Sequence, residues 1–507
     1  MTNTENVGFQ SYPSVVTSAN IPDATIVYAD LAAGAAHRTL VVAASDASDK
    51  IKATADYVCS GSQDELDINT ALALYGNDGG VVQLTAGTYD CPTAVLMNYN
   101  NVTLRGVGPA TILQKSGAGT QHVIWQQTGA VHDIAVEDLQ IDANNIGTES
   151  DSNNKGIFIN GNSADYSTAY NIALRRLTVH DARAEGICID YAQYVTIEDC
   201  YSYNNSWAGI TLAQIKRGTV RGNRCEHNGE YNKDSTLACG INIQMSQYVE
   251  CFDNVVEDQQ NDAAIGVSSS SVSPFDTYDT TDVNVHHNHL IENATGGGLA
   301  YTIYAYSSSG DTTLERISIH HNHVYESSGS HFGIRVEDIT GFAIHDNFLY
   351  GGGPYGIYVH NPADRGYIRN NDIQNYGLAL NANASVTDVD WTDVGVVTKA
   401  ATYTVQLPES GKTFIATKAD GAMEFDLPVA RIGLTYTFVR GNAGVDNDLT
   451  IDPNGNDTII QLDGTEGTAG YWYGNENDEI GHITLLCVTA NKWNVIAESG
   501  TWAFETA

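Results

Sequence analysis

The chain has 507 residues, with 61 Asp and Glu against 24 Lys and Arg and a net charge of −37. That balance excludes duplex DNA and anionic membrane as partners, since both need basic surface. No stretch approaches the ~20 apolar residues of a membrane span, so no membrane insertion is expected.

The first residues, from Met1 to Asn6, carry neither a basic n-region nor an apolar h-region, so no signal peptide is expected. Residues 1–40 read as an extended attachment segment. Residues 64–75 (DELDINTALALY) read as a short amphipathic helix with apolar positions at Leu66, Ile68, Ala71 and Leu72. Such a helix would cap the first coil of a stacked array and cover its open sheet edge. A turn and a buried strand come next, at 79–91, and the entry region is set at 41–120.

The body of the chain, 121–385, is a repeat. Segments from Gly186, Gly240 and Gly333 align without gaps, and each meets a new start 23 residues on, at Gly209, Ala263 or Gly356. Each unit opens at a Gly turn and continues Ile-x-Ile or Ile-x-Val, which buries alternate residues of a strand. Two more short strands follow. Three strands in about 23 residues form one rung of a parallel β-helix, whose apolar face is buried only by stacking. Longer rungs from Gly156 and Gly209 carry insertions. Asn223, Asn254, Asn288, Asn322, Asn347 and Asn371 recur after the second strand. They are expected to stack as a ladder at a tight turn, where Asn tolerates the left-handed conformation. The eight Cys show no zinc spacing and read as small buried hydrophobes. Residues 386–507 drop the repeat for short strands and turns, as in a β-sandwich-like module serving trimerisation or glycan binding.

Residues two and four after each rung-start Gly face outward, and rungs stack ~4.8 Å apart. Arg335 and Glu337 therefore meet Tyr358 and His360. A cation, a base and an acid are what lysis of a uronate needs; the plainer reading is a surface salt bridge beside stacked rings. A second group joins Asp190 with Arg183, Glu185 and Trp207, carboxylates beside an aromatic platform suited to a pyranose. Five rungs, roughly 24 Å, separate Asp190 from Glu337, too far for one hydrolytic pair. Arg335, Glu337, Tyr358, His360 and Asp190 are thus the catalytic candidates. Glu185 and Trp207 are candidates for binding substrate. So are Tyr278, Tyr304 and Tyr306, which stand in Tyr-rich insertions at 274–282 and 300–311. Histidines at 286, 320 and 345 form one outward column and those at 289 and 323 another. No carboxylate or Cys completes a familiar ligand spacing, so no metal site is assigned. No cofactor is required, although the Asp-rich loops offer oxygen ligands of the kind Ca²⁺ takes.

Residues 55–90, ADYVCSGSQDELDINTALALYGNDGGVVQLTAGTYD, resemble the entry segment of pectate-lyase-type right-handed β-helices in phage and archaeal-virus tail proteins. The rungs from Gly156 to about Gly377 resemble the same superfamily. The run from GLTYTFVRGN to KWNVIAESGTW is similar to modules that end tail fibres and tailspikes. Together the resemblance spans roughly 40–507. It implies a homotrimeric, virion-located receptor-binding protein, held on a virion tail or baseplate by its N-terminal segment, that attaches to a host surface polysaccharide or glycoprotein. Its alternatives are a polysaccharide-degrading tailspike, lyase ahead of hydrolase, and a structural decoration protein. The Tyr-Gly-Phe-Asp-Pro-His motif of alginate-epimerase relatives has as its nearest counterpart Glu185 to Asp190, which keeps only Gly186 and an Asp. The acidic surface also suits a high-salt habitat, where charge keeps a protein soluble.

Overall fold

The computed structural model describes residues 39–504, apart from 118, 120, 128–129, 148–152, 162–167, 231–237, 261–262, 270–278, 292–300, 308–312, 327–330, 361, 383–385, 391–395, 400, 417–421, 441–448, 471 and 476–480. Of the attachment segment 1–40, residues 1–38 lie outside the described residues and Leu40 already opens the first strand; residues 162–167 and 231–237 of the longer rungs also lie outside. Among the described residues no helix is long and apolar enough to cross a membrane.

Each rung has three strands. One example is Phe332–Glu337, Ile339–His345 and Phe348–Gly351. First and second strands run together in a 23-stranded sheet, while the third strands form a separate sheet of 11. Pairing between rungs is parallel and in register, as in Ile334 against Ile357. Coils begin with Leu40–Ala43 beside Gly80–Leu84 and continue to Asp390, beside Tyr367. The rungs thus run past residue 385, where the repeat pattern fades in the sequence.

The interior is built from columns. Ile187, Ile210, Ile241, Ile265, Ile303, Ile334 and Ile357 stack in one, and each is fully buried. Burial of such a side chain contributes about 1.5–3 kcal/mol, so a continuous stack offsets the entropy of ordering its strands. Gly240 pairs opposite Ala264 rather than Ala263, because the register sets Ile241 against Ile265. The rung-start glycine is not a turn residue with positive φ. It is small because a Cβ on Gly240 would lie 2.3 Å from Val256 Cγ1 on the third strand.

The Asn ladder forms, with the left-handed position one residue earlier than the sequence pattern places it. Gly222, Asp253, His287, His321, Asp346 and Asn370 hold the positive φ, and the Asn that comes after each points inward. The backbone N and Nδ2 of each Asn both donate to the next Oδ1, at 2.9–3.1 Å from Asn223 through Asn371. The capping helix spans Glu65–Tyr75 and buries Ile68, Ala71, Leu72 and Tyr75. This i, i+3, i+4, i+7 face leaves Leu66 outside, 53 % exposed, so Leu66 is not a core position. All eight Cys are free and buried.

Past the rungs lie a six-stranded and a five-stranded sheet. The chain alternates between them. Val396–Lys399, Thr413–Ala416 and Thr435–Arg440 pair in parallel in one; Tyr403–Thr404, Met423–Asp426 and Leu449–Asp452 do so in the other. The antiparallel pair His482–Thr489 and Lys492–Ser499 comes next. The sandwich-like module thus starts as a flattened coil around buried Phe414, Phe425, Phe438, Tyr436 and Trp493.

Candidate functional site

The outward face of the first strands is set by register. One column runs Asp190, Ala213, Gln244, Ser268, Tyr306, Glu337. Its neighbour runs Cys188, Thr211, Asn242, Gly266, Tyr304, Arg335, Tyr358. Two clusters of charged groups therefore stand five rungs apart on one face. Between them Thr211, Asn242, Gln244 and Ser268 are buried although they point away from the core. Thr211 Oγ1 and Asn242 Oδ1 have no hydrogen-bond partner among the described residues, a cost that a ligand hydroxyl would relieve.

Four of the five catalytic candidates converge at one end. Glu337 accepts from Arg335 and from Tyr304, the latter at 3.0 Å. His360 Nδ1 lies 2.8 Å from its other oxygen. Arg335 also bonds the Tyr301 hydroxyl. Its guanidinium sits over the Tyr301, Tyr304 and Tyr358 rings at 5.0, 5.3 and 5.4 Å. Burial pushes the Tyr301, Tyr304 and Tyr358 hydroxyls up, so these groups keep their protons at neutral pH. The approach of His360 Nδ1 to Glu337 lacks hydrogen-bond alignment, and this nitrogen is buried with no hydrogen-bond partner among the described residues. Tyr306 stacks on Tyr304 at 4.5 Å. Tyr278 lies outside the described residues.

Asp190 joins a different neighbourhood. Lys155, buried before the start of its rung, pairs with Glu185 at 2.6 Å, and its ammonium lies over Phe158 and Trp207 at 5.3 and 5.4 Å. Burial opposes the Lys155 charge, and the Glu185 carboxylate more than offsets this. Burial raises Asp190 to about 6, against the pull of Lys155. Trp207 is only 4 % exposed. This corrects its reading as an open sugar platform: the ring is enclosed because Lys155 occupies the space beside it. Glu185 is likewise engaged within the wall. Arg183 turns away to donate to the Asn145 carbonyl. Burial drives the Cys188 thiol well up, which removes it as a nucleophile.

The histidine columns form, with ring centroids 4.9 Å apart from His286 to His320 to His345 and 6.0 Å from His289 to His323. A third column, His287 and His321, stacks at 4.9 Å. It continues to Asp346, the carboxylate that linear spacing does not reveal. Ligand atoms of His321, His345 and Asp346 come within 4.8 Å of one another, as do those of Asp142, His180 and Asp181 and of Glu424, Asp426 and Asp452.

Lys155 and Tyr301 escape sequence reading because rungs of unequal length separate them from their partners. Lys155 directly precedes rung-start Gly156 as Glu185 precedes Gly186, and that opposite-charge match in one column was the available signal.

Residues 131–319 match the model of the right handed beta helix region. No curated protein matches the sequence. Among solved structures, the A-module of the Azotobacter vinelandii mannuronan C-5 epimerase AlgE6 is similar at 16 % identity and TM-score 0.48, over 72 % of this chain and 90 % of that one. Tailspike protein 2 of bacteriophage CBA120, in its enzymatically active domain, is similar at 11 % and 0.43, over 62 % and 48 %. The Dettilon tailspike protein is similar at 13 % and 0.44, over 84 % and 77 %. The rung register and the family-model match together make this chain a right-handed parallel β-helix protein.

Proposed function

We propose that the chain binds an extended glycan along the outward face of its first strands, and that it serves as a receptor-binding protein of a virus particle, acting as a homotrimer. One observation carries the glycan reading. Polar side chains line this face for five rungs, ~24 Å at the strand spacing, with acceptors at Thr211 and Asn242 that have no partner among the described residues, and the face ends in partly exposed Tyr304, Tyr306 and Tyr358. Aromatic faces pack on sugar C–H surfaces, while hydroxyl and amide groups take the sugar hydroxyls.

The His360–Glu337 pair favours a second reading, cleavage of a uronate by elimination. His360 Nε2 takes the proton from the carbon beside the sugar carboxylate. The C–O bond to the next sugar breaks as the C=C bond forms, and the Tyr358 hydroxyl gives its proton to the departing oxygen. Arg335 steadies the carboxylate.

The test offers polyuronates and neutral surface polysaccharides as immobilised probes, then tracks new reducing ends and ultraviolet absorbance. Binding weakened at least ~10-fold by Asn242→Ala and Tyr358→Ala, without cleavage, supports an adhesin. Absorbance lost in His360→Ala and Glu337→Gln supports the lyase. Absence of binding to every probe overturns the glycan reading, and a monomeric mass by light scattering overturns the trimer.

A further inference from the structure

Seven of the chain's 15 histidines stand at one corner of three successive rungs, where second strands turn into third strands. Each rung adds a pair of neighbours, His286 with His287, His320 with His321, then His345 with Asp346; the two histidine pairs are edge-on, and their rings stack on those of the next rung. Within the pairs, Nδ1 faces Nδ1 at 2.8 Å twice, and His345 Nδ1 faces Asp346 Oδ2 at 2.7 Å. His287 and His321 line a surface cavity of about 600 Å³ together with His289 and His323, with Asp253, Asp346 and Asp372 also on its wall. A structural histidine stack needs no such concavity and no carboxylates around it.

We propose that this corner binds a divalent first-row transition ion, Zn²⁺ in type, through His321, His345 and Asp346. The set is two imidazoles and one carboxylate, a donor combination Zn²⁺ takes together with water. Donor atoms within 4.8 Å must close to about 3.4 Å for tetrahedral bonds of ~2.0–2.1 Å. Rotation of side chains at this open corner covers the difference. His320 holds His321 in place through the 2.8 Å contact, the orienting role that outer partners play at metal sites. The corner lies one strand away from the glycan face, and its occupancy does not depend on the glycan reading.

The test titrates the full-length protein, dialysed against chelator, with Zn²⁺ by calorimetry, and with Co²⁺ to read the visible bands of a tetrahedral ion. The expected result is one saturable site per chain and a Co²⁺ spectrum. Affinity should fall at least ~10-fold in His321→Ala, His345→Ala and Asp346→Asn, each checked for native circular dichroism. His227→Ala, outside the corner, should bind as wild type does. Asp346→Asn keeps the size of the side chain and covers the case in which a histidine variant fails to fold. Absence of saturable binding, or affinity unchanged in all three variants, would overturn the site.

Discussion

A carboxyl group enclosed beside an ammonium is pulled two ways, and at Asp190 enclosure wins. Burial raises it to about 6 although Lys155 pulls it down. A free Asp titrates near ~3.9, so between about 4 and about 6 the folded chain holds more protons than the unfolded one. Stability is therefore full below that window and falls as pH rises through it. At neutral pH the charged carboxylate costs on the order of 3 kcal/mol. Asp190→Asn should raise the urea midpoint at pH 7.5 and leave it unchanged at pH 4; an equal offset at both values would show that the enclosure does not act through the charge. The sequence marked Asp190, Glu185 and Trp207 as neighbours, since they flank consecutive rung starts. It did not show that Lys155 from the preceding rung fills the space between them, because Gly156 and Gly186 stand 30 residues apart rather than 23, which breaks the count that would bring it there. At the other cluster the residues at Gly+2 and Gly+4 were legible from a gap-free 23-residue interval, and the structure brings Arg335, Glu337, Tyr358 and His360 together. Tyr301 was not legible, as its rung is 38 residues from the one below, Ile265 against Ile303.

The Asn ladder shows how one side-chain type holds a strand corner. Asn322 donates Nδ2 to the Val285 carbonyl at 2.9 Å and to Asn347 Oδ1 at 3.0 Å. Its own Oδ1 accepts both the backbone N and Nδ2 of Asn288. Asn322→Ala takes a partner from all four groups, but Asn347 Oδ1 keeps the backbone N of residue 322 and Asn288 Nδ2 keeps the Cys251 carbonyl; the other two are orphaned in a dry interior, at about 1–3 kcal/mol each. Some relax or recruit water, so a net loss on the order of 3 kcal/mol is expected, read as a lowered urea midpoint. Asn371 is 8 % exposed against 0 % for Asn322, and water can reach its neighbours. Asn371→Ala should therefore shift the midpoint less, and equal shifts would mean that the ladder is not held by burial of its amides. The ladder was readable because six Asn recur at the same place in their rungs. The left-handed residue was assigned wrongly since Asn tolerates that conformation well. Here the preceding residue makes the turn, and it is as varied as Gly, Asp, His and Asn, so no composition signal marks it.

Across the whole molecule, charge is the term that stacking does not cancel. Several basic side chains are spent on acidic neighbours a rung away: Arg105 on Glu137 at 2.5 Å, Arg175 on Glu198 at 2.5 Å, Arg176 on Asp138 at 2.6 Å and Arg316 on Asp282 at 2.7 Å. A net charge of −37 is left over on the molecule. A solenoid makes this excess worse to carry than its length suggests, since repeats at ~4.8 Å intervals place like charges at one height in each rung within a short distance of the next. At ~0.01 M salt the screening length is about 30 Å, longer than five rungs; at 1 M it is about 3 Å, shorter than one. Salt also weakens the pairs, but exposed pairs contribute only ~0–1 kcal/mol each, whereas repulsion among the surplus acids adds over every neighbouring rung. The melting temperature should therefore climb steadily between 0.01 and 1 M KCl, by more than ~5 °C, which corresponds to a few kcal/mol at this size. Chloride is chosen over sulfate so that exclusion from apolar surface does not produce the same rise. A falling melting temperature would place the inter-rung ion pairs above the net charge as the dominant electrostatic term. It would also remove the physical ground for reading the acidic composition as an adaptation to high salt.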